Sequence, residues 1–192
     1  MTDLIDDTRQ KAILTSAFQA FSAYGFRKTS MDDIARGAGM SRPAVYLHYK
    51  NKEAIVRKLT ELHYVEKTAS VANALNGEGT VSQILEKAIN AQIDGMAAIL
   101  ASPHGLEMLD TTKSMSIDIV EQGEAELTDL FANWLNREHA DGRVRLLDEA
   151  HETAKTITAT LKGIKMTASS ADEFEKRTAQ LAALIGAGLE VR

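Results

Sequence analysis

The chain has no cysteine among its 192 residues. That excludes disulfides, thiolate zinc sites, cysteine nucleophiles and thiol redox sensing, and it suits a reducing compartment, so a cytoplasmic location is expected. Proline is nearly absent, with 2 residues, and glycine stops at 12, so this is no low-complexity linker chain. Aromatic residues reach only 5%. No run approaches the roughly 20 uncharged apolar residues that a bilayer span needs, and the opening MTDLIDDTRQK is acidic where a signal peptide is basic and then apolar. Membrane insertion and secretion are therefore not expected. Enzyme signatures are missing too: there is no P-loop, no G-x-G-x-x-G and no G-x-S-x-G. His104 and Glu107, and Asp148 and His151, are spaced i, i+3, but neither pair has an H-E-x-x-H context or an evident third ligand. Neither catalysis, a metal nor a cofactor is expected.

What is present is 44% apolar and 26% charged residues, enough for a real core in one ordinary domain or two small ones. The net charge of −5 conceals an asymmetry. Residues 1–60 carry ten Lys/Arg against six Asp/Glu, whereas the remainder carries 12 against 21. The basic part is the N-terminal third, and a partner of negative charge would meet it there. Aromatics divide the chain similarly, since Phe18, Phe21, Tyr24, Phe26, Tyr46 and Tyr49 make up six of the ten. A small aromatic N-terminal core joined to a larger aliphatic body is expected.

Apolar residues recur at helical spacing and no alternating β-branched run occurs, so the fold class is all-α. A first helix over 8–24 has Ile13, Leu14, Ala17, Phe18, Phe21 and Tyr24 on one face and Gly25 as its stop. Ser30 and Asp33 form a capping-box pair at the start of a second helix, which ends near Ala38. Gly39 turns the chain, Met40 plugs the angle, and Ser41 caps a third helix that opens Arg42-Pro43. This is helix-turn-helix spacing. Asn51 caps a long helix from Lys52 that Asn76-Gly77 breaks, and helices follow over 80–101, after Pro103, and over 114–139, 148–167 and 171–190. The expected division is a helix-turn-helix domain over 1–50 and a larger helical domain over 51–192.

A helix about 10–12 Å across fits the major groove and needs polar or small residues on its outer face. The third helix has them. Arg42 can fork onto guanine or contact phosphate, Ala44 can meet a thymine methyl, and Tyr46 and His48 can reach phosphate oxygens. Val45 and Leu47 are expected inward, with Tyr49 divided between packing and a polar contact. Thr29, Ser30 and Lys52 stand at helix N-termini, where free N–H groups favour phosphate.

The stretch from Thr29 to Ile55, with Asp33-Ile34-Ala35, Ala38-Gly39, Ser41, Tyr46, Tyr49 and Lys52 in order, closely resembles the DNA-binding domain of TetR-family transcriptional regulators. The resemblance covers about 9–58, with Pro43 where the family often has Gly and Tyr49 where it often has Phe. It implies phosphate-contact roles at the helix N-termini and completes a candidate DNA-contacting set of Thr29, Ser30, Ser41, Arg42, Pro43, Ala44, Tyr46, His48, Tyr49, Lys50 and Lys52. It further implies a homodimer formed by the last two helices, through Ile157, Leu161, Ile164, Leu181, Ala182, Ile185, Gly186 and Leu189. Such a dimer would read a near-palindromic operator in double-stranded DNA with half-sites about 34–36 Å apart.

By the same resemblance the middle helices enclose a small-molecule effector. Candidate lining residues are His63, Met96, Leu100, His104, Met108, Met115, Ile119, Gln122, Phe131 and Trp134, and the shortage of aromatics favours an aliphatic or small polar molecule over a large planar cation. The segment 103–109 and the helix over 52–75 are the expected coupling elements. The implied function is repression of transcription, relieved by the effector. The alternatives are a helical interaction module and a ligand-independent or activating regulator of the same fold.

Overall fold

Each early boundary is made by one or two residues acting locally. In the computed structural model, which describes residues 2–191 and side chains from Thr8 onward, α1 (Thr2–Tyr24) stops where Gly25 takes φ +83°. A side chain there would be strained, and a Cβ would stand only 2.8 Å from Glu107 Oε2. α2 (Met31–Gly37) begins with the full capping box: the Asp33 N–H donates to Ser30 Oγ at 3.2 Å and the Ser30 N–H donates to Asp33 Oδ2 at 2.9 Å. Gly39 turns the chain at φ +66°, and Ser41 caps α3 (Arg42–His48) by accepting from the Ala44 N–H. Asn51 caps α4 (Lys52–Leu75) in the same way, at 2.9 Å from the Ala54 N–H.

The later helices are α5 (Val81–Ile93), α6 (Met96–Ala101), α7 (Gly105–Met115), α8 (Ile117–Ala140), α9 (Ala150–Thr167) and α10 (Ala171–Leu189). The chain is all-α, with one isolated bridge between Val144 and Glu190 among the described residues. The helix expected over 80–101 is two helices, because Gly95 adopts φ +77° between α5 and α6. Its apolar spacing runs through the break, which hid the Asp94-Gly95 turn dipeptide. No helix of the described residues is long and apolar enough to cross a membrane.

The backbone divides into two compact units. One holds the residues up to His63 together with Ile99–Val120; the other holds Tyr64–Ala98 and the residues from Glu121 onward. Packing thus draws its line elsewhere than at residue 50: the first part of α4 and all of α7 belong with the helix-turn-helix. The first unit's core contains Ile13, Phe21, Phe26, Ile34, Val45 and Ile55, with Met108 and Met115 packed against it. Phe21 and Phe26 meet at 5.3 Å between ring centroids. The second unit has an aliphatic core around Phe131 and Trp134, with Ile84, Leu85, Ile89, Leu135 and Ile157 fully buried. The expected contrast between an aromatic head and an aliphatic body is present.

In the second unit α10 lies along α5, and Gly186 is the contact point: a Cβ there would come within 2.7 Å of Ser82 Oγ. Ile157, Leu161, Ala182, Gly186 and Leu189, expected at a dimer interface, are all buried by their own chain. Ile164, Leu181 and Ile185 are half-buried. The residues these two helices leave outside include Met166 at 72% and Leu184 at 66% exposure, beside exposed Ala159, Gly163, Ala183 and Gly188. The apolar spacing of α9 and α10 identified a buried stripe, and one chain suffices to bury it.

Candidate nucleic-acid interface

The faces of α3 follow from its periodicity. Val45 is at 0% exposure and Tyr49, one turn on, is also buried, so this edge seats the helix on the head's core. Two residues past Val45 is about 200° further round the helix. Leu47 accordingly stands 86% exposed, although its apolar character had suggested an inward role. Pro43 shares its edge. Arg42 and exposed Tyr46 form one flank, and half-buried Ala44 and His48 form the other. α3 therefore offers a continuous outer surface of Arg42, Pro43, Tyr46 and Leu47, with Lys50 exposed just beyond its end.

Arg42 is held in place. Its Nη1 donates to Asp32 Oδ2 at 3.1 Å and its Nη2 donates to the Tyr46 hydroxyl at 3.3 Å, with the guanidinium carbon 5.4 Å from the Tyr46 ring centroid. The Tyr46 hydroxyl first, and then the Asp32 carboxylate, reinforce the positive charge and push the Arg42 pKa up. Ser30 is exposed, but both of its polar functions are engaged with Asp33, whose carboxyl is pushed down by the Ser30 hydroxyl and N–H. Arg36 is bonded to the same carboxylate.

Two expected phosphate contacts have other tasks. Thr29 is buried, and its hydroxyl donates to the Gly25 carbonyl at 2.8 Å, which closes the turn between α1 and α2. Lys52 sends its ammonium inward to the carbonyls of Phe26 and Thr29, both at 2.6 Å, and over the Phe26 ring at 4.3 Å. A cation at the start of α4 satisfies carbonyls that the turn leaves open, and this tie holds the α1–α2 turn against α4. Nothing in the local sequence pointed to a partner 26 positions back.

The expected effector residues are dispersed. His63, Leu100, His104, Met108, Met115 and Ile119 lie in the first unit, and Met96, Gln122, Phe131 and Trp134 in the second. His63 is exposed, as is Gln122, which donates to Glu126 at 2.9 Å. Phe131 and Trp134 are wholly buried. His104 and Glu107 pair at 2.9 Å beside Gly25, the His104 N–H donates to the Ser22 carbonyl, and the Ser22 hydroxyl donates to Met108 Sδ at 3.5 Å. These residues fasten α7 to the end of α1. Further along, Arg57 on α4 grips Asp118 at 2.8 and 2.7 Å and donates to the Met115 carbonyl. His151 faces Asp129 at 3.7 Å, not Asp148, and no group of three possible metal ligands occurs among the described residues.

The capped helix pair, with its seated inner edge and exposed, arginine-bearing outer edge, lies within a segment that matches a known family. Residues 13–59 match the family model for bacterial regulatory proteins of the tetR family. The chain carries a tetR-family head. Among curated relatives, the transcriptional regulator EthR of Mycolicibacterium smegmatis is 40% identical over 55 residues, which is 29% of this chain and 25% of EthR. The match thus spans about a quarter of that relative's length. The fold extends the likeness. SmeT, described as the repressor of the Stenotrophomonas maltophilia multidrug efflux pump SmeDEF, superposes with a TM-score of 0.70 at 19% identity, covering 95% of this chain and 90% of SmeT. A second SmeT structure is a complex with triclosan. The fatty acid degradation regulator FadR of Bacillus halodurans gives 0.71 at 17% identity, over 96% and 97% of the two chains. The fold shared with these two proteins therefore extends beyond the head.

Proposed function

We propose that this tetR-family regulator binds one near-palindromic operator as a homodimer and represses transcription until a small molecule releases it. The observation that carries the reading is the outer edge of α3: Arg42, Tyr46 and Leu47 stand outward on a helix that Val45 and Tyr49 hold in place. A rigid seat with a varied outer edge is what direct reading of major-groove base edges requires.

Dimerisation is supported by the outer surface of α9 and α10. Gly163 and Gly188 have nothing within 4 Å of a would-be Cβ, and Met166 and Leu184 are exposed beside them. Small residues allow close helix approach and the two large ones supply apolar area. A two-fold pair would present its α3 helices about 34–36 Å apart, one turn of duplex.

Release by an effector is supported by the fold shared with SmeT, which forms a complex with triclosan. An effector lowers DNA affinity only by binding better to a conformation whose heads are wrongly spaced. The attachments of α7 to the head, through His104, Met108 and the Arg57–Asp118 pair, are the contacts such a change would have to work through. A coupling of about 1–3 kcal/mol would change affinity roughly 5–150-fold. We assign the effector to the helical body that follows the head, as an aliphatic or small polar molecule.

The test is retention of fragmented genomic DNA from the source organism by purified protein at about 150 mM salt, where non-specific binding is weak. An inverted repeat shared by the retained fragments is expected. Random recovery, with and without candidate metabolites, would reject the reading.

A further inference from the structure

Asp32 is a carboxylate in an unfavourable place. It sits on α2, exposed, beside the arginine of a surface meant for phosphate. The start of α2 does not depend on it, since Ser30 and Asp33 exchange the capping-box bonds and Asp33 also takes Arg36. As a stabilising ion pair it counts for little: the Asp32 and Arg42 side chains are 58% and 56% exposed, and pairs so open to water contribute near nothing. Its effect must be sought in what it does to Arg42.

Arg42 has two partners from different directions. Tyr46 lies one turn further along α3, and Asp32 reaches across the turn from α2, ten positions earlier in the chain. Together they take one N–H from each terminal nitrogen. The other N–H groups stay available for a two-pronged contact with guanine O6 and N7. A guanidinium without such partners would swing to the nearest phosphate oxygen, an attraction that carries no sequence information.

We infer that Asp32 is a positioning residue for base reading: with Tyr46 it fixes the Arg42 fork, and by offsetting its charge it weakens the grip on arbitrary DNA. The inference rests on the DNA-binding function proposed above. Its signature is a pair of opposite effects. Removing Asp32 should raise affinity for any duplex while lowering the ability to choose among duplexes. A carboxylate that merely complements the α2 dipole, or merely adds negative charge near the duplex, would leave base preference unchanged when removed, so the loss of choice is the effect that marks a positioning role.

The experiment is enrichment of a random-sequence duplex pool by the full chain, run in parallel for wild type, D32A, D32N and R42A, with titration of one arbitrary duplex at several salt concentrations. Wild type is expected to enrich an inverted repeat. D32A should enrich the same repeat with discrimination at the Arg42-dependent base pair lowered about tenfold. It should also bind the arbitrary duplex more tightly, with a salt dependence steeper by about one phosphate contact per freed arginine. D32N, which keeps an acceptor of the same shape without the charge, should retain more of the base preference than D32A while sharing its tighter arbitrary binding. Wild-type preference in both Asp32 variants would overturn the inference whatever the salt dependence, and so would wild-type preference in R42A. If wild type itself enriches nothing, the DNA-binding proposal fails, and this inference with it.

Discussion

Arg57 and Asp118 lie 61 positions apart and meet through two parallel hydrogen bonds of 2.8 and 2.7 Å. The same guanidinium donates to the Met115 carbonyl, and Thr60, one turn along α4, reaches Ser116 at 3.4 Å. The corner between α7 and α8 is thus fastened to the first turns of α4, the helix that follows the helix-turn-helix directly. This bidentate geometry is the strong form of an arginine–carboxylate contact.

The pair carries a pH signature. The Arg57 hydrogen bonds pull the Asp118 carboxyl down from 3.8 to about 2. A carboxyl depressed in the folded state contributes stability above its unfolded value and loses it as pH falls toward the folded one. Wild type should therefore exceed D118N in denaturant stability at pH 6, and the gap should close between about pH 4 and pH 2. A gap independent of pH over that window would show that the ion pair is not its source.

Lys52 should behave as a structural residue. Its ammonium satisfies two carbonyls of the α1–α2 turn. Hydrogen bonds from a charged donor are worth about 1.5–3 kcal/mol each, and here water competes at a half-buried site. K52M should destabilise the head by about 1–3 kcal/mol in chemical denaturation and leave base preference unchanged. An unchanged denaturation midpoint together with a uniform loss of DNA affinity would return Lys52 to the phosphate contacts.

Leu47 should matter for reading and not for folding. At 86% exposure its truncation leaves no cavity. L47A should leave the melting temperature unaltered and lower preference for thymine at one operator position by about 1 kcal/mol, roughly fivefold, as a lost methyl contact would. Pool enrichment reads this directly, and an operator motif identical to wild type would remove Leu47 from the reading surface.

The two leucines Leu161 and Leu184 should separate core from interface. Leu161 is buried within one chain, whereas Leu184 is 66% exposed. L184D should sediment as a folded monomer where wild type sediments as a dimer. L161D should unfold, because it buries an unpaired charge. A dimeric L184D would move the interface elsewhere.

Local chemistry was legible in the sequence. Ser30, Ser41 and Asn51 cap the helices they were expected to cap, and Gly25 and Gly39 take the left-handed turns expected of them. Each of these contacts reaches at most three residues, so the adjoining letters contain the whole interaction. The expectation for Leu47 failed for a different reason. Its exposure follows from Val45 two positions earlier, because helical phase, not hydrophobicity, decides which edge of a short helix faces the core. The break at Gly95 was lost in the same way, beneath an apolar pattern that continued across it.

By itself the sequence determined the all-α class, the basic aromatic head, the caps and turns of the helix-turn-helix and the residues that form its second helix, because helical period and capping are short-range properties. Only the tertiary structure decided that Lys52 and Thr29 serve the turn after α1, that Asp32 holds Arg42, that α7 packs with the head, and that the apolar stripe of α9 and α10 is buried in its own chain. Those outcomes depend on which side chains from remote positions arrive at the same point. An ammonium, a hydroxyl or a leucine takes its role from whichever carbonyl, carboxylate or core the fold brings within a few ångströms.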